Sequence, residues 1–139
     1  KIIIDKSDYI NDVLDKVDIA SRKLIKSYFP LLMRGAAPRR PQNINEGNYR
    51  YLRTDKHSMI DWNNSTISIL NKIRAISKPY PGSIGILDDN KYRIWKAESH
   101  KKNKFFKEKR IGNCIYDDNN DIIVQCKDGL IKVTDFEEI

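Results

Sequence analysis

Histidine and cysteine are scarce in this chain of 139 residues, which has two of each, and that scarcity argues against several kinds of chemistry. Cys114 and Cys126 stand in strand-like runs, with no C-x-x-C spacing and no histidine close by in sequence. They read as two buried, reduced thiols of a cytoplasmic protein rather than a disulfide framework. Four ligands for a structural zinc ion are hard to assemble from such a set, so no metal site is assigned. No apolar run approaches the ~20 residues that span a bilayer, which argues against a membrane protein. The opening Lys1 to Asp5, K-I-I-I-D, is too short for the core of a signal peptide and lacks a small-residue cleavage site. It reads as a buried strand, and a chain that opens on Lys1 instead of Met is expected to begin inside a larger protein.

The chain does carry an uneven charge. Of its net +7, the whole surplus is matched by one window, Lys91 to Arg110, with nine basic residues against Glu98 and Glu108. Such a concentration would attract a polyanion or a nucleotide diphosphate, and Phe105 and Phe106 within it could stack on bases. The plainer reading is a solvated lysine-rich loop with one phenylalanine anchoring it to the core.

Two helices are expected. After Ser7 and Asp8, apolar residues recur at Ile10, Val13, Leu14, Val17, Ala20, Leu24, Ile25 and Tyr28 in steps of three and four, so one face of a long helix should be buried. Pro30 should end or kink it and Gly35 should stop it. Its partner must lie outside the chain or be the β-rich region that follows. Ala36 to Lys56 is a linker by composition, with Tyr49-Arg50-Tyr51-Leu52-Arg53 as a possible extended strand. The second helix should run from Asn64 or Ser65 to Ile76, capped by Asn63 or Asn64, with Ile67, Leu70, Ile73 and Ile76 facing inward. Pro79 forbids its continuation and Pro81-Gly82 turns the chain.

From Ser83 the period changes to two. Candidate strands are Ser83–Leu87, Tyr92–Ala97, Ile111–Tyr116, Ile122–Cys126 and Leu130–Thr134, joined by Asp88-Asp89-Asn90, the basic loop, Asp117 to Asp121, and a hairpin at Asp128-Gly129. Five short strands suffice for a small barrel. The fold class is therefore α+β.

Against this background the stretch from Ile60 to Gly82 stands out. It places Asp61-Trp62 before a helix bearing Asn71, Arg74 and Ala75, and closes on Pro79-Tyr80-Pro81-Gly82. That order of parts resembles the start of the C-terminal domain of formyltransferases that use N10-formyltetrahydrofolate. The likeness extends further. Ile4-Asp5, the helix to Met33, Gly35 and Pro41-Gln42 are similar to the last strand and helix of that family's Rossmann-like catalytic domain. The strand Tyr92–Ala97 and the late Asp128-Gly129 also fall where the family has them.

The resemblance implies three regions: residues 1–42 as the tail of the catalytic domain, 43–60 as a linker, and 61–139 as a small OB-like antiparallel barrel. It implies transfer of a formyl group to a primary amine, with the cofactor and the catalytic Asn, His and Asp in a missing N-terminal half. His57 and His100 do not match that motif, so no catalytic residue is assigned. Asp61, Trp62, Asn71, Pro79, Tyr80, Pro81 and Gly82 are expected to be structural. Arg74 is expected to pair with Asp61 or hold the linker. Tyr51, Arg53 and Arg74 are the substrate-facing candidates, since a guanidinium suits a diphosphate or a terminal phosphate.

Two acceptors compete: a nucleotide-linked amino sugar, and initiator tRNA as in methionyl-tRNA formyltransferases. Tyr49 to Asp55 resembles the Arg-Arg-x-Pro-Asp-Asp pattern of the sugar enzymes, with Thr54 in place of the proline, and favours the sugar. The basic window favours tRNA. A free-standing, non-enzymatic nucleic-acid-binding barrel is the reading of a different class, and a homodimer is compatible with all three.

Overall fold

The computed structural model of the chain describes residues 1–101, 110–116 and 121–139. Its first element is helix α1, Ile10–Met33. Asp12 reaches back to accept from the Tyr9 N–H at 2.8 Å, so the helix starts just after the expected Ser7 and Asp8. Asp8 instead accepts from Lys16, and that hydrogen bond holds its carboxyl below the usual carboxylate range. The helix passes through Pro30 instead of ending there, because the exposed backbone around Lys26 can hydrate the carbonyl that proline leaves unpaired. Gly35, at φ +69°, ends it, with Ala36 and Gly35 N–H groups returning to Leu31 and Leu32 carbonyls.

The expected burial of α1 is not met among the described residues. No residue of the helix is fully buried, and Leu24 is 61% exposed. The β-rich region is therefore not the partner of its apolar face. The strand expected at Lys1 to Asp5 does not form either. A strand needs neighbours for its backbone groups, and none of the five strands of the sheet pairs with it. For the same reason Tyr49 to Arg53 has no strand pairing, and every side chain in it is exposed.

Between these regions lie a single 3-10 turn, Ile44–Glu46, and a one-turn helix α2, Asp55–Ser58. Helix α3, Thr66–Ala75, is then capped by Ser65, whose hydroxyl accepts from the Ser68 N–H at 3.3 Å. Neither Asn63 nor Asn64 is the cap; Asn64 instead donates to the Asp61 carbonyl and carboxylate. The helix buries Thr66, Ile69, Leu70 and Ile73, while Ile67 is 69% exposed. Its rotation is set by tertiary contacts. The Asp128 carboxylate, from a turn on the far side of the fold, accepts from both the Thr66 N–H at 2.7 Å and its hydroxyl at 2.8 Å. That pulls Thr66 inward and turns Ile67 out.

The sheet contains β1 (Ser83–Leu87), β2 (Asn90–His100), β3 (Cys114–Tyr116), β4 (Ile122–Gln125) and β5 (Leu130–Glu138), in the order β1-β2-β5-β4-β3, all antiparallel. The strands fall near where the alternating pattern puts them, but β3 starts only at Cys114 because Ile111 and Gly112 form a turn, and β2 and β5 run longer because they pair with each other along their length. The β1–β2 hairpin turns on Asp88 and Asp89, both at positive φ, as a two-residue primed turn requires. At the β4–β5 connection the expected glycine serves a different end. Gly129 is not at positive φ; a Cβ there would lie 3.1 Å from the Thr66 hydroxyl, so its smallness lets α3 approach the turn.

The sheet curls so that its two ends approach. Tyr116 of β3 meets Tyr92 of β2 hydroxyl to hydroxyl at 3.1 Å, and the Cys114 thiol donates to Asp88 at 2.9 Å. Among the described residues no ladder joins β1 to β3, so the sheet is a half-barrel with a seam and not a closed cylinder. The core lies inside the curl, where Ile73 of α3 meets Ile94, Ile122, Ile131 and Val133. The expected connection at Asp117 to Asp121 falls largely outside the described residues, as do Phe105 and Phe106 and the centre of the basic window.

Candidate functional site

Trp62 occupies the seam. It is 7% exposed, its indole N–H donates to the Ile86 carbonyl at 3.1 Å, and Gly85 and Gly112 lie against its ring. A Cβ on Gly85 would stand 2.9 Å from the indole. The neighbouring Ile60 N–H binds the Ile84 carbonyl at 2.7 Å. Residues 60 and 62 thus satisfy alternate carbonyls on the free edge of β1, work that a sixth strand would otherwise do.

The corner after α3 is built from short-range contacts. The Tyr80 N–H binds the Ser77 carbonyl and the Gly82 N–H binds the Ile76 carbonyl, each at 2.9 Å, and the Lys78–Pro79 peptide is cis. Gly82 sits at φ +86°, and a Cβ there would lie 2.9 Å from Trp95 and 3.1 Å from the Ile94 carbonyl. Only glycine meets both demands. The Pro81 carbonyl accepts from Arg93 at 3.1 Å, and Lys78 lies 4.3 Å over the Trp95 ring while pairing with Asp135 at 3.2 Å.

Against this corner lies a cleft of about 110 Å³, lined by Arg53, Thr54, Asp55, Ser58, Ile76, Tyr80 and Pro81. It brings together Arg53, Tyr80 and Pro81 from the expected set. Tyr51 stands apart, 98% exposed. Arg74 does not pair with Asp61. It donates to Asn71 one turn back, at 2.6 Å, while Asp61 accepts from the Asn63 N–H at 3.0 Å, which holds its carboxyl below the usual range. Lys72 is the cation that ties the loop down, donating to the Met59 carbonyl. Its burial and then the positive charge of Arg53 lower its pKa. Among the described residues no group of histidine, cysteine and acidic side chains could hold a metal ion. Burial pushes both thiols up to about 12, helped at Cys114 by the Asp88 carboxylate, so neither is an activated nucleophile.

A sealed curl, a helix across its mouth and a proline-rich corner match one known domain over residues 53–138, the formyl transferase C-terminal domain. The chain belongs to that family. The formyl transferase C-terminal domain thus begins at Arg53, in the cleft, and ends at Glu138, in the last residue of β5. The bifunctional polymyxin resistance protein ArnA of Wigglesworthia glossinidia brevipalpis is 30% identical over 126 residues, which cover 91% of this chain and 18% of that protein. HypX from Aquifex aeolicus shares the fold, with a TM-score of 0.66 at 19% identity over 84% of this chain and 20% of the other. A crystal structure of HypX in complex with tetrahydrofolic acid aligns equally well, at 18% identity. The chain therefore spans about a fifth of the length of these relatives.

Within the domain, sequence reasoning marked the corner and Trp62, but not the roles of Lys72, Gly85 and Asp128. Gly85 interrupts an apolar strand, a usual sign of close approach, and could have been found on that ground. Lys72 carries no local signal. No helix among the described residues is long and apolar enough to cross a membrane.

Proposed function

We propose that this chain is the C-terminal part of an enzyme that moves a formyl group from N10-formyltetrahydrofolate to the amine of a nucleotide-linked amino sugar. The observation that carries this reading is Arg53, at the first position of the family domain, lining the cleft beside Tyr80, with the exposed Tyr49-to-Asp55 segment similar to the sugar-enzyme pattern. An arginine so placed offers a fork of donors to a diphosphate, and Tyr51 a face to a base. Residues 1–42 are then the tail of a preceding catalytic domain, which would cover the apolar face of α1, and 43–60 the tether.

In this reading the cofactor is held by the catalytic half. The Arg53 cleft is well below the ~300 Å³ from which small-molecule pockets begin. Folate binding and the attack of a neutral amine on the formyl carbon belong, in this reading, to the catalytic half. The role left to this chain is to hold the phosphorylated end of the acceptor.

The test is formyl transfer by the whole protein containing this chain, with nucleotide-linked amino deoxysugars and charged initiator tRNA as rival acceptors and mass spectrometry as the readout. Formylation of tRNA alone would overturn the sugar assignment in favour of the basic window. With the sugar as acceptor, Arg53→Met should raise KM about tenfold or more with little change in kcat, since its contact is made in ground and transition states alike.

A further inference from the structure

Strand β2 carries an irregularity opposite β5, with register shifts between Ile94 and Lys96 and again between Lys96 and Ala97. A bulge strips backbone groups of their ladder partners, and buried ones must find others. Two side chains from outside the sheet bond backbone groups here, one at Trp95 within the irregularity and one at Ala97 just past it, where the register with Val133 resumes. The Ser77 hydroxyl, just past α3, donates to the Trp95 carbonyl at 2.8 Å. The Tyr9 hydroxyl, at the head of α1, donates to the Ala97 carbonyl at 3.2 Å and accepts from the Ala97 N–H at 3.4 Å. Ala97 is buried, so water cannot easily stand in for that phenol.

The surroundings of Tyr9 are loosely filled. On one side lies a hollow of about 640 Å³ lined by Tyr9, Asn11, Asp12, Lys78, Lys96 and Asp135 among others. On another lies a hollow of about 310 Å³ between the start of α1 and Asn71, Arg74 and Ala75 of α3. Both hollows are open to solvent, so protein does not close over the contact on either side. The remainder of α1 has no fully buried residue to fix its direction.

We propose that Tyr9 is a swivel latch: its hydroxyl, bonded to Ala97 beside the β2 irregularity, fixes the attitude of α1 against the sheet, and the open space on either side lets the helix pivot when that contact is lost. The latch stands on contacts within this chain and holds whichever amine is the acceptor, or none. Its test uses the full chain with spin labels at Lys23→Cys on α1 and Lys91→Cys on β2, together with amide hydrogen exchange. Tyr9→Phe, which removes only the hydroxyl, should broaden the distance distribution between the labels and speed exchange at Ala97 about fivefold. Tyr28→Phe, exposed further along the same helix, should change neither. An unchanged distribution in Tyr9→Phe overturns the latch, whatever Ala97 exchange does. Equal broadening in Tyr28→Phe overturns it as well. Loss of the sheet's folded signature in Tyr9→Phe would make the hydroxyl a requirement for folding and would also overturn it.

Discussion

The residues before Ile60 and those from Ile60 onward contain comparable stocks of large aliphatic side chains and use them differently. Every fully buried apolar residue among those described lies between Ile60 and Val133, while Ile3, Leu24, Ile25, Phe29, Leu32 and Met33 stand open to solvent. The family domain, residues 53–138, coincides with the first of these groups. Periodicity alone therefore does not confer burial. The stripe on α1 and that on α3 are alike in spacing, but α3 has a curled sheet to close over it.

The largest effects should come from breaking the folded half. Trp62→Ala removes the seal of the seam and the donor to Ile86, and should cost about 3–5 kcal/mol in denaturant unfolding. Ile73→Ala, at the centre of the core, should cost about 2–5 kcal/mol by the same measurement. The substitution Gly85→Ala would drive a methyl to within 2.9 Å of Trp62 and should cost about 1–3 kcal/mol through overpacking.

A smaller effect tests the electrostatic tie between α3 and the β4–β5 turn. Hydrogen bonds from Thr66 hold the Asp128 carboxyl below its ordinary value of 3.8. A depressed folded value means that the stabilisation is complete above the ordinary value and is lost as pH falls through the folded one. Asp128→Asn should therefore lower Tm at neutral pH, and thermal scans of the two proteins should converge as pH drops below about 3.8. Smallest of all, Leu24→Ala should change the stability of this chain by no more than ~0.5 kcal/mol, as for an exposed site. A loss comparable to that of Ile73→Ala would show that α1 is covered after all.

Much of this was legible in advance for local reasons. β1 occupies Ser83–Leu87, as its alternation and flanking turns require, and Gly82 was marked by the prolines around it. Ile67 was misassigned because residues spaced by three fit two adjacent helix faces. Only the bond from Thr66 to Asp128, 62 positions away, chooses between them. Arg74 and Asp61 suit each other as charges, but each is held by an asparagine two or three residues away, Asn71 for Arg74 and Asn63 for Asp61.

What the sequence by itself determined is where the two longer helices and the five strands lie to within a few residues, where the chain must turn, and, through Asp61-Trp62, Arg74-Ala75 and Pro79-Tyr80-Pro81-Gly82, to which family it belongs. Those properties depend on neighbours within a few residues. The tertiary structure decided which face of α3 is buried, that Trp62 closes the seam, that Tyr9 bonds Ala97 of β2, and that no described residue buries the apolar face of α1. Each of these depends on backbone groups and surfaces brought together from distant positions, and a one-dimensional pattern does not encode such distances.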